Sequence, residues 1–442
     1  MNLTGTLVKS TIVAALGGLL FGFDTAVIAG TTAGLTASFT LDDFRLGVTV
    51  FIALVGTIFG SLFAGIPGNK YGRRDSLRGM AILYLISALG CAFAWNWYSL
   101  LFFRLIGGVG IGGSSVLGPM YIAEIAPAKW RGRLVGLFQF NVVGGILVAY
   151  LSNFLIRSSH LGPEDWRWML GVSGIPAALF FVMLFLIPRS PRWLVQKSRL
   201  GEARETLEAI GEENIETELQ DIVASVDVEH GHGQESLYQA KYGFPIFLAV
   251  SMGMFNQLSG INAILYYLNY IFAKAGFDNV SSDKQAVLIG FTNLCFTMLA
   301  MSIIDKVGRK TLLLIGSVGC TVSLGGAAAI FLSNSHEGLL VWMLIGFIAS
   351  FAFSQGAVIW VYLSEVFPTR VRAQGQSLGS FTHWAMNALI SLTFPVIAAK
   401  SRGLPFVLFS FMMIVQFIVV FTIYPETKGV TLEDMQKKLG IA

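Results

Sequence analysis

Apolar residues in this chain recur in long unbroken blocks, not at alternate positions or on narrow periodic faces. Blocks of roughly 20 residues, each long enough to cross a ~30 Å hydrocarbon layer as a helix, fall at about residues 9–36, 47–67, 77–95, 99–125, 133–156, 167–187, 244–273, 285–305, 311–333, 339–364, 374–399 and 404–424. The pattern predicts an all-α membrane protein of twelve transmembrane helices. Between the sixth and seventh blocks it changes. Residues 188 to about 242, including "GEARETLEAIGEENIETELQDIVASV", are charged and carry Leu, Ile and Val at helical spacing, which predicts amphipathic helices joining six spans to six. The domain reading is a six-helix bundle over 1–187, a helical linker over 188–242, and a second six-helix bundle with a short tail over 243–442.

Composition narrows the class further. Of 442 residues, 54% are hydrophobic and only 13% charged, which excludes an ordinary soluble domain. The first block has no small-residue cleavage site and outruns a signal-peptide core, so it reads as a retained helix. Cys91, Cys295 and Cys320 fall inside spans, as small packing residues do, and no metal site, cofactor site or disulfide framework is expected. The net charge of +4 matters only through its placement. Lys70, Arg73, Arg74, Arg78, Lys129, Arg131, Arg133, Arg192, Lys197, Arg199, Lys306, Arg309, Lys310, Arg370 and Arg372 lie in alternate loops, while the intervening loops hold little beyond Arg45, Arg157, Arg167, Lys274, Lys284, Lys400 and Arg402. The positive-inside rule then puts both termini and the linker in the cytoplasm. Short loops and no targeting signal point to a bacterial inner membrane, with the lipid bilayer as a partner and no nucleic acid.

The halves repeat each other at matching places. "NKYGRRDSL" after the second span answers to "DKVGRKTLL" after the eighth, and "YIAEIAPAKWRGR" ending the fourth answers to "YLSEVFPTRVRAQ" ending the tenth. Glu124 precedes Arg131, and Glu365 precedes Arg372, by the same interval. Parallel repeats of this kind mark transporters in which one bundle rocks against the other. Arg73, Arg74, Glu124, Arg131, Asp305, Arg309, Glu365 and Arg372 are the expected cytoplasmic gate, making charge-assisted ties between bundles that hold in one conformation and break in the other. The bland alternative is that the cations here only set topology.

Asp24 interrupts the apolar run "LLFGFDTAVIAG". A carboxylate in hydrocarbon costs several kcal/mol unless it is paired, wet or protonated. Asp24 lies about 22 Å along the first helix, and Arg104, on the oppositely directed fourth, lies about 8 Å below the outer surface, so the depths match. Arg stays protonated, so Asp24 is the titratable member. Burial favours its neutral form and Arg104 its charged form, with a balance set by local hydration. Two readings stand on residue physics alone: a static ion pair and a proton site that loads on one side and unloads on the other.

A polar set suited to an uncharged hydroxylated ligand lies in the later spans. The seventh carries Asn256, Gln257, Asn262, Tyr266 and Tyr267, with a Ser259-Gly260 step that permits a local helix break. Gln139, Asn293, Trp360, His383, Trp384 and Asn387 add to it. For each residue alone, an interhelical hydrogen bond is the competing reading. The glycine-rich "GGVGIGGSS" over 107–115 is read as a close-packing surface, not a phosphate loop, because it lies inside a span.

These motifs, with "FNQLSGINAILYY", "PRSPRWL" and the late "PETKG", make the chain resemble a sugar porter of the major facilitator superfamily. It is similar to the bacterial xylose/proton and galactose/proton symporters and to the facilitative glucose transporters, over nearly the whole chain. The resemblance implies that Asp24 is the proton carrier beside Arg104, since facilitative mammalian relatives carry an uncharged residue there. It implies sugar contacts from Gln139, Gln257, Asn262, Asn293 and Trp360, with Phe21 and Tyr266 as aromatic neighbours. Asn256 stands for the first Gln of the family's "QQ", and His383 for a Gln or Asn. On the cytoplasmic side Asn69 replaces an Asp and Arg189 replaces the Glu of "PESPR", changes expected to loosen the ties there. The expected function is import of a monosaccharide, hexose or pentose, with a proton by alternating access, by a protein working as a monomer. A uniporter is the alternative. A membrane sugar sensor is a further one; such sensors carry a long signalling tail, whereas 16 residues follow Glu426 here. No nucleophile, metal or phosphate-cradling set suggests an enzyme, and paired charged ends argue against a channel.

Overall fold

A computed structural model describes residues 4–127, 130–212, 214–231, 236–368, 370–430 and 432–441; Lys129 lies outside the described residues. Among the described residues, twelve helices are long and apolar enough to cross a membrane: Gly5–Phe39, Asp43–Phe63, Arg73–Ala92, Trp97–Ile125, Arg131–Ser158, Asp165–Met183, Ala240–Tyr266, Asn279–Val307, Arg309–Ser333, Glu337–Glu365, Arg372–Lys400 and Leu404–Thr422. They are numbered here as spans 1 to 12. All lie over the apolar blocks and differ from them at the ends. Span 7 stops at Tyr266, and a separate helix, Leu268–Lys274, follows.

Local chemistry sets where helices start. Asn96 and Ser99 form a reciprocal capping box at span 4, the Ser99 amide donating to Asn96 Oδ1 at 2.8 Å and the Asn96 amide to Ser99 Oγ at 3.2 Å. Asp278 caps span 8 through the Ser281 amide at 2.9 Å. Among its described residues the linker forms helices Pro191–Gln196, Leu200–Ile210 and Ile215–Gly231. In the second of these, Ala203, Thr206, Leu207 and Ile210 are buried, the i, i+3, i+4, i+7 face that the sequence pattern predicts.

Two compact units result: Met1–Val27, Ile52–Ala149 and Leu161–Gly233 form the first, and Ile28–Phe51, Tyr150–His160 and Gln234–Ala442 the second. The units therefore cut across the order of the chain, because the ends of spans 1, 2 and 5 farthest from the linker belong with the later spans. In the first unit, spans 2 and 4 approach along the glycines of the 107–115 stretch. A Cβ on Gly108 would stand 2.0 Å from the Ala53 carbonyl oxygen, and one on Gly112 would stand 2.1 Å from that of Thr57. Backbone is in contact with backbone there, as the reading of these glycines as a packing surface requires. Gly108→Leu is expected to abolish the folded, monodisperse protein in detergent gel filtration, because no flexible side chain is present to move aside. Cys91 and Cys320 are buried packing residues, but Cys295 is exposed on span 8.

Candidate functional site

Asp24, half-buried on span 1, and Arg104, buried on span 4, line one small cavity in the first unit. Tyr84, Ser87, Cys91 and Ser173 contribute its other polar wall, and Leu20, Ala88 and Leu170 the apolar one. It offers about 10 Å³ to the centre of a water molecule, room for about one. Tyr84 is held by Ser114, hydroxyl to hydroxyl at 2.9 Å. Phe21 and Gln139, also in this unit, are half-buried on spans 1 and 5.

The second unit assembles the amide-rich set. Span 7 breaks where Gly260 takes φ +82°, a left-handed conformation, and a Cβ there would meet the Phe409 ring at 2.3 Å. Helix Gly243–Leu258 therefore ends just after Asn256 and Gln257, and a new helix, Ile261–Tyr266, starts with Asn262 in its first turn. The break expected at Ser259-Gly260 is present. Gln257 is the hub: its Nε2 lies 3.2 Å from Asn256 Oδ1 and within 3.3 Å of both ring nitrogens of His383, while its Oε1 accepts from Asn262 Nδ2 at 3.2 Å. His383 stands between two indoles, Trp360 at 5.3 Å and Trp384 at 5.1 Å between ring centres. Asn387 Nδ2 donates to the Tyr266 hydroxyl at 3.1 Å. Asn293 is buried on span 8, whereas Trp360 stays 40% exposed.

On the linker side the internal repeat is geometric as well as sequential. Gly72 and Gly308 share one backbone conformation, φ +92° and +101°. The arginine after each donates to the carbonyl five residues back and to the side chain four back. Arg73 reaches Gly68 at 3.0 Å and Asn69 at 3.2 Å; Arg309 reaches Ile304 at 3.3 Å and Asp305 at 3.0 Å. Each then meets the acid that ends the matching span, Arg73 with Glu124 at 2.8 Å and Arg309 with Glu365 at 2.8 Å. These two ties join helices within a unit, and in each the glutamate meets the arginine that follows the glycine. Arg131 is exposed, and Arg372 donates to the Phe367 carbonyl at 3.4 Å.

Both departures make bonds within the first unit. Asn69 still accepts from Arg73, a neutral amide replacing the carboxylate. Arg189 joins Arg74 and Arg78 on Asp75, at 2.9, 3.1 and 2.7 Å. Sequence reading missed three members of this repeat. Glu426 accepts the backbone N–H groups of Arg309 and Lys310 at 2.9 and 3.1 Å, capping span 9. Tyr121 donates to the Pro188 carbonyl at 2.7 Å as Tyr362 does to that of Pro425 at 3.3 Å. The signal was available, since each Tyr stands three residues before its repeat's Glu and each Pro opens a quoted motif.

Also missed was a buried ion pair at the far ends of the spans, Arg157 Nε to Asp283 Oδ2 at 2.5 Å. Opposite charges at the same end of spans 5 and 8 were the signal, the same depth argument that joined Asp24 to Arg104.

A protein-family profile described as "Sugar (and other) transporter" matches residues 10–439. The chain is 34% identical to the D-xylose-proton symporter of Escherichia coli K12 over 467 residues, covering 96% of this chain and 94% of that one. It is 34% identical to the arabinose-proton symporter of Bacillus subtilis over 444 residues, covering 98% and 95%. Among solved structures it is similar to the inward open conformation of the xylose transporter XylE from E. coli, at 33% identity, TM-score 0.87, over 98% of this chain and 99% of that one. With the repeat, the broken seventh span and these matches together, the chain belongs to the sugar-porter family of the major facilitator superfamily.

Proposed function

We propose that this protein imports a monosaccharide, hexose or pentose, together with a proton by alternating access, as a monomer in a bacterial inner membrane with both termini and the linker in the cytoplasm. The observation that carries the coupling is the shared cavity of Asp24 and Arg104, a carboxylate and a guanidinium facing a space that holds about one water. In a cavity this small the carboxylate is the natural counter-ion of the guanidinium. A proton on Asp24 removes that counter-ion and makes the arrangement of spans 1 and 4 unfavourable unless water enters or the helices shift. The two protonation states thus favour different conformations, which is what lets a proton gradient drive one direction of the cycle.

The sugar is read by the amide set around Gln257, whose carbonyls and N–H groups match ring hydroxyls, with the Trp360 indole for the apolar C–H face and Phe21 and Tyr266 as further aromatic contacts. Gln139, Asn293, Trp384 and Asn387 complete the set. Asn256 is one methylene shorter than Gln and contacts a hydroxyl through water. On the cytoplasmic side, the Arg73–Glu124 and Arg309–Glu365 ties stiffen the helix ends that part when the site opens inward.

Uptake of a panel of labelled hexoses and pentoses into proteoliposomes, with and without an inward proton gradient, tests the proposal. One sugar accumulating above its outside concentration, and collapsing to equilibrium with a protonophore, supports it. Uptake that only equilibrates makes this a facilitator with a structural Asp24–Arg104 pair.

A further inference from the structure

Within the second unit, one guanidinium gathers the far ends of three spans. Arg157, near the end of span 5, donates from Nε to the carboxylate of Asp283 on span 8 and from Nη2 to the Gly30 carbonyl on span 1. Asp283 is 1% exposed, and its second oxygen accepts from Nδ2 of Asn269, in the helix that follows span 7. So one charge centre ties spans 1 and 5, early in the chain, to span 8 and the helix before it, late in the chain. Neighbouring contacts cross the same seam. Tyr150 donates to the Leu265 carbonyl at 2.8 Å and Tyr270 to Asp43 Oδ1 at 3.2 Å, while a Cβ on Gly47 would meet the Leu392 carbonyl oxygen at 2.4 Å.

We infer that Arg157, Asp283 and Asn269 form an ion-paired outer latch, the contact that keeps the sugar path shut from the outside and must break for it to open outward. The inference rests on the alternating-access reading above, under which these far ends face the exterior. A buried carboxylate loses far more by losing its partner in a dry site than in a wet one. The latch is therefore stable in two arrangements, paired and dry or parted and hydrated, with nothing favourable between. Water already has an approach: a cavity of about 430 Å³ lies against it, lined by Thr32, Asp42, Asp43, Arg157, Tyr270 and Lys274 among others.

Thr32, 3% exposed in this closed arrangement and lining that cavity, reports its opening. Thr32→Cys would be introduced, and its labelling by a membrane-impermeant maleimide added outside right-side-out vesicles followed, after subtracting the labelling of the chain without it, to which Cys295 contributes. The latch predicts slow labelling, raised roughly tenfold or more by Arg157→Gln or Asp283→Asn and returned to slow by the charge exchange Arg157→Asp with Asp283→Arg. The double neutral variant, Arg157→Gln with Asp283→Asn, leaves no buried charge unpaired; it is expected to label as fast as the single variants and carries the test if either of those does not fold. Labelling of the neutral variants within twofold of the parent, or reaction at Thr32→Cys only from the cytoplasmic face, overturns the inference. No sugar or proton gradient enters the assay, so the result stands whether or not the transport reading survives its own test.

Discussion

Asp24→Asn abolishes accumulation of sugar against its gradient while leaving sugar exchange across the membrane largely in place. The substitution keeps the shape of the side chain and still offers Arg104 a carbonyl oxygen, but removes the group that can gain and lose a proton. The guanidinium then faces the same neutral partner in every state, so the proton gradient no longer biases the conformational equilibrium. Exchange is expected to survive because the amide cluster proposed to read the sugar is built from spans 7 and 11, in the other compact unit. In proteoliposomes the steady-state inside-to-outside ratio falls to unity, while counterflow of labelled against unlabelled sugar continues. A variant that still concentrates sugar would remove Asp24 from the coupling step.

Gln257→Ala weakens sugar binding without uncoupling the proton. Its amide meets Asn256, Asn262 and His383 at once, so truncation removes a sugar contact and also leaves three neighbours short of a partner. Losing a hydrogen bond in a buried polar network costs about 1–3 kcal/mol, and so roughly a tenfold to hundredfold rise in Kd by isothermal titration. What uptake remains stays sensitive to protonophore, because Asp24 and Arg104 are untouched. An unchanged Kd would mean that this cluster is a structural brace between spans 7 and 11.

The twelve spans were legible because a membrane helix announces itself by length and composition alone, a signal no tertiary contact can hide. The break in span 7 was legible too, since only glycine suits the left-handed turn at position 260. Partnership was legible for Asp24 and Arg104, whose depths match and which share a cavity, but not on the linker side. Glu124 and Arg131 share a fixed spacing along the chain, yet Glu124 bonds Arg73, because a helix end and a loop meet through packing, not through sequence interval. Asn69 and Arg189 looked like losses when judged one at a time; in the structure Arg73 still bonds Asn69, and Asp75 absorbs Arg189 along with Arg74 and Arg78. The far-side pair of Arg157 and Asp283 went unread because charges near span ends look like loop residues until the helices extend past them. The split of spans 1, 2 and 5 between two compact units had no sequence signal at all, since it depends on which ends touch in this conformation.

Central to this account is that sugar movement carries protons through Asp24. The most direct measurement loads proteoliposomes with a pH-sensitive dye, imposes only an inward sugar gradient, and follows internal pH in the wild-type and Asp24→Asn proteins. The account predicts acidification on sugar addition by the wild-type protein, absent with Asp24→Asn. Sugar entry with no change of internal pH in the wild-type protein would contradict it.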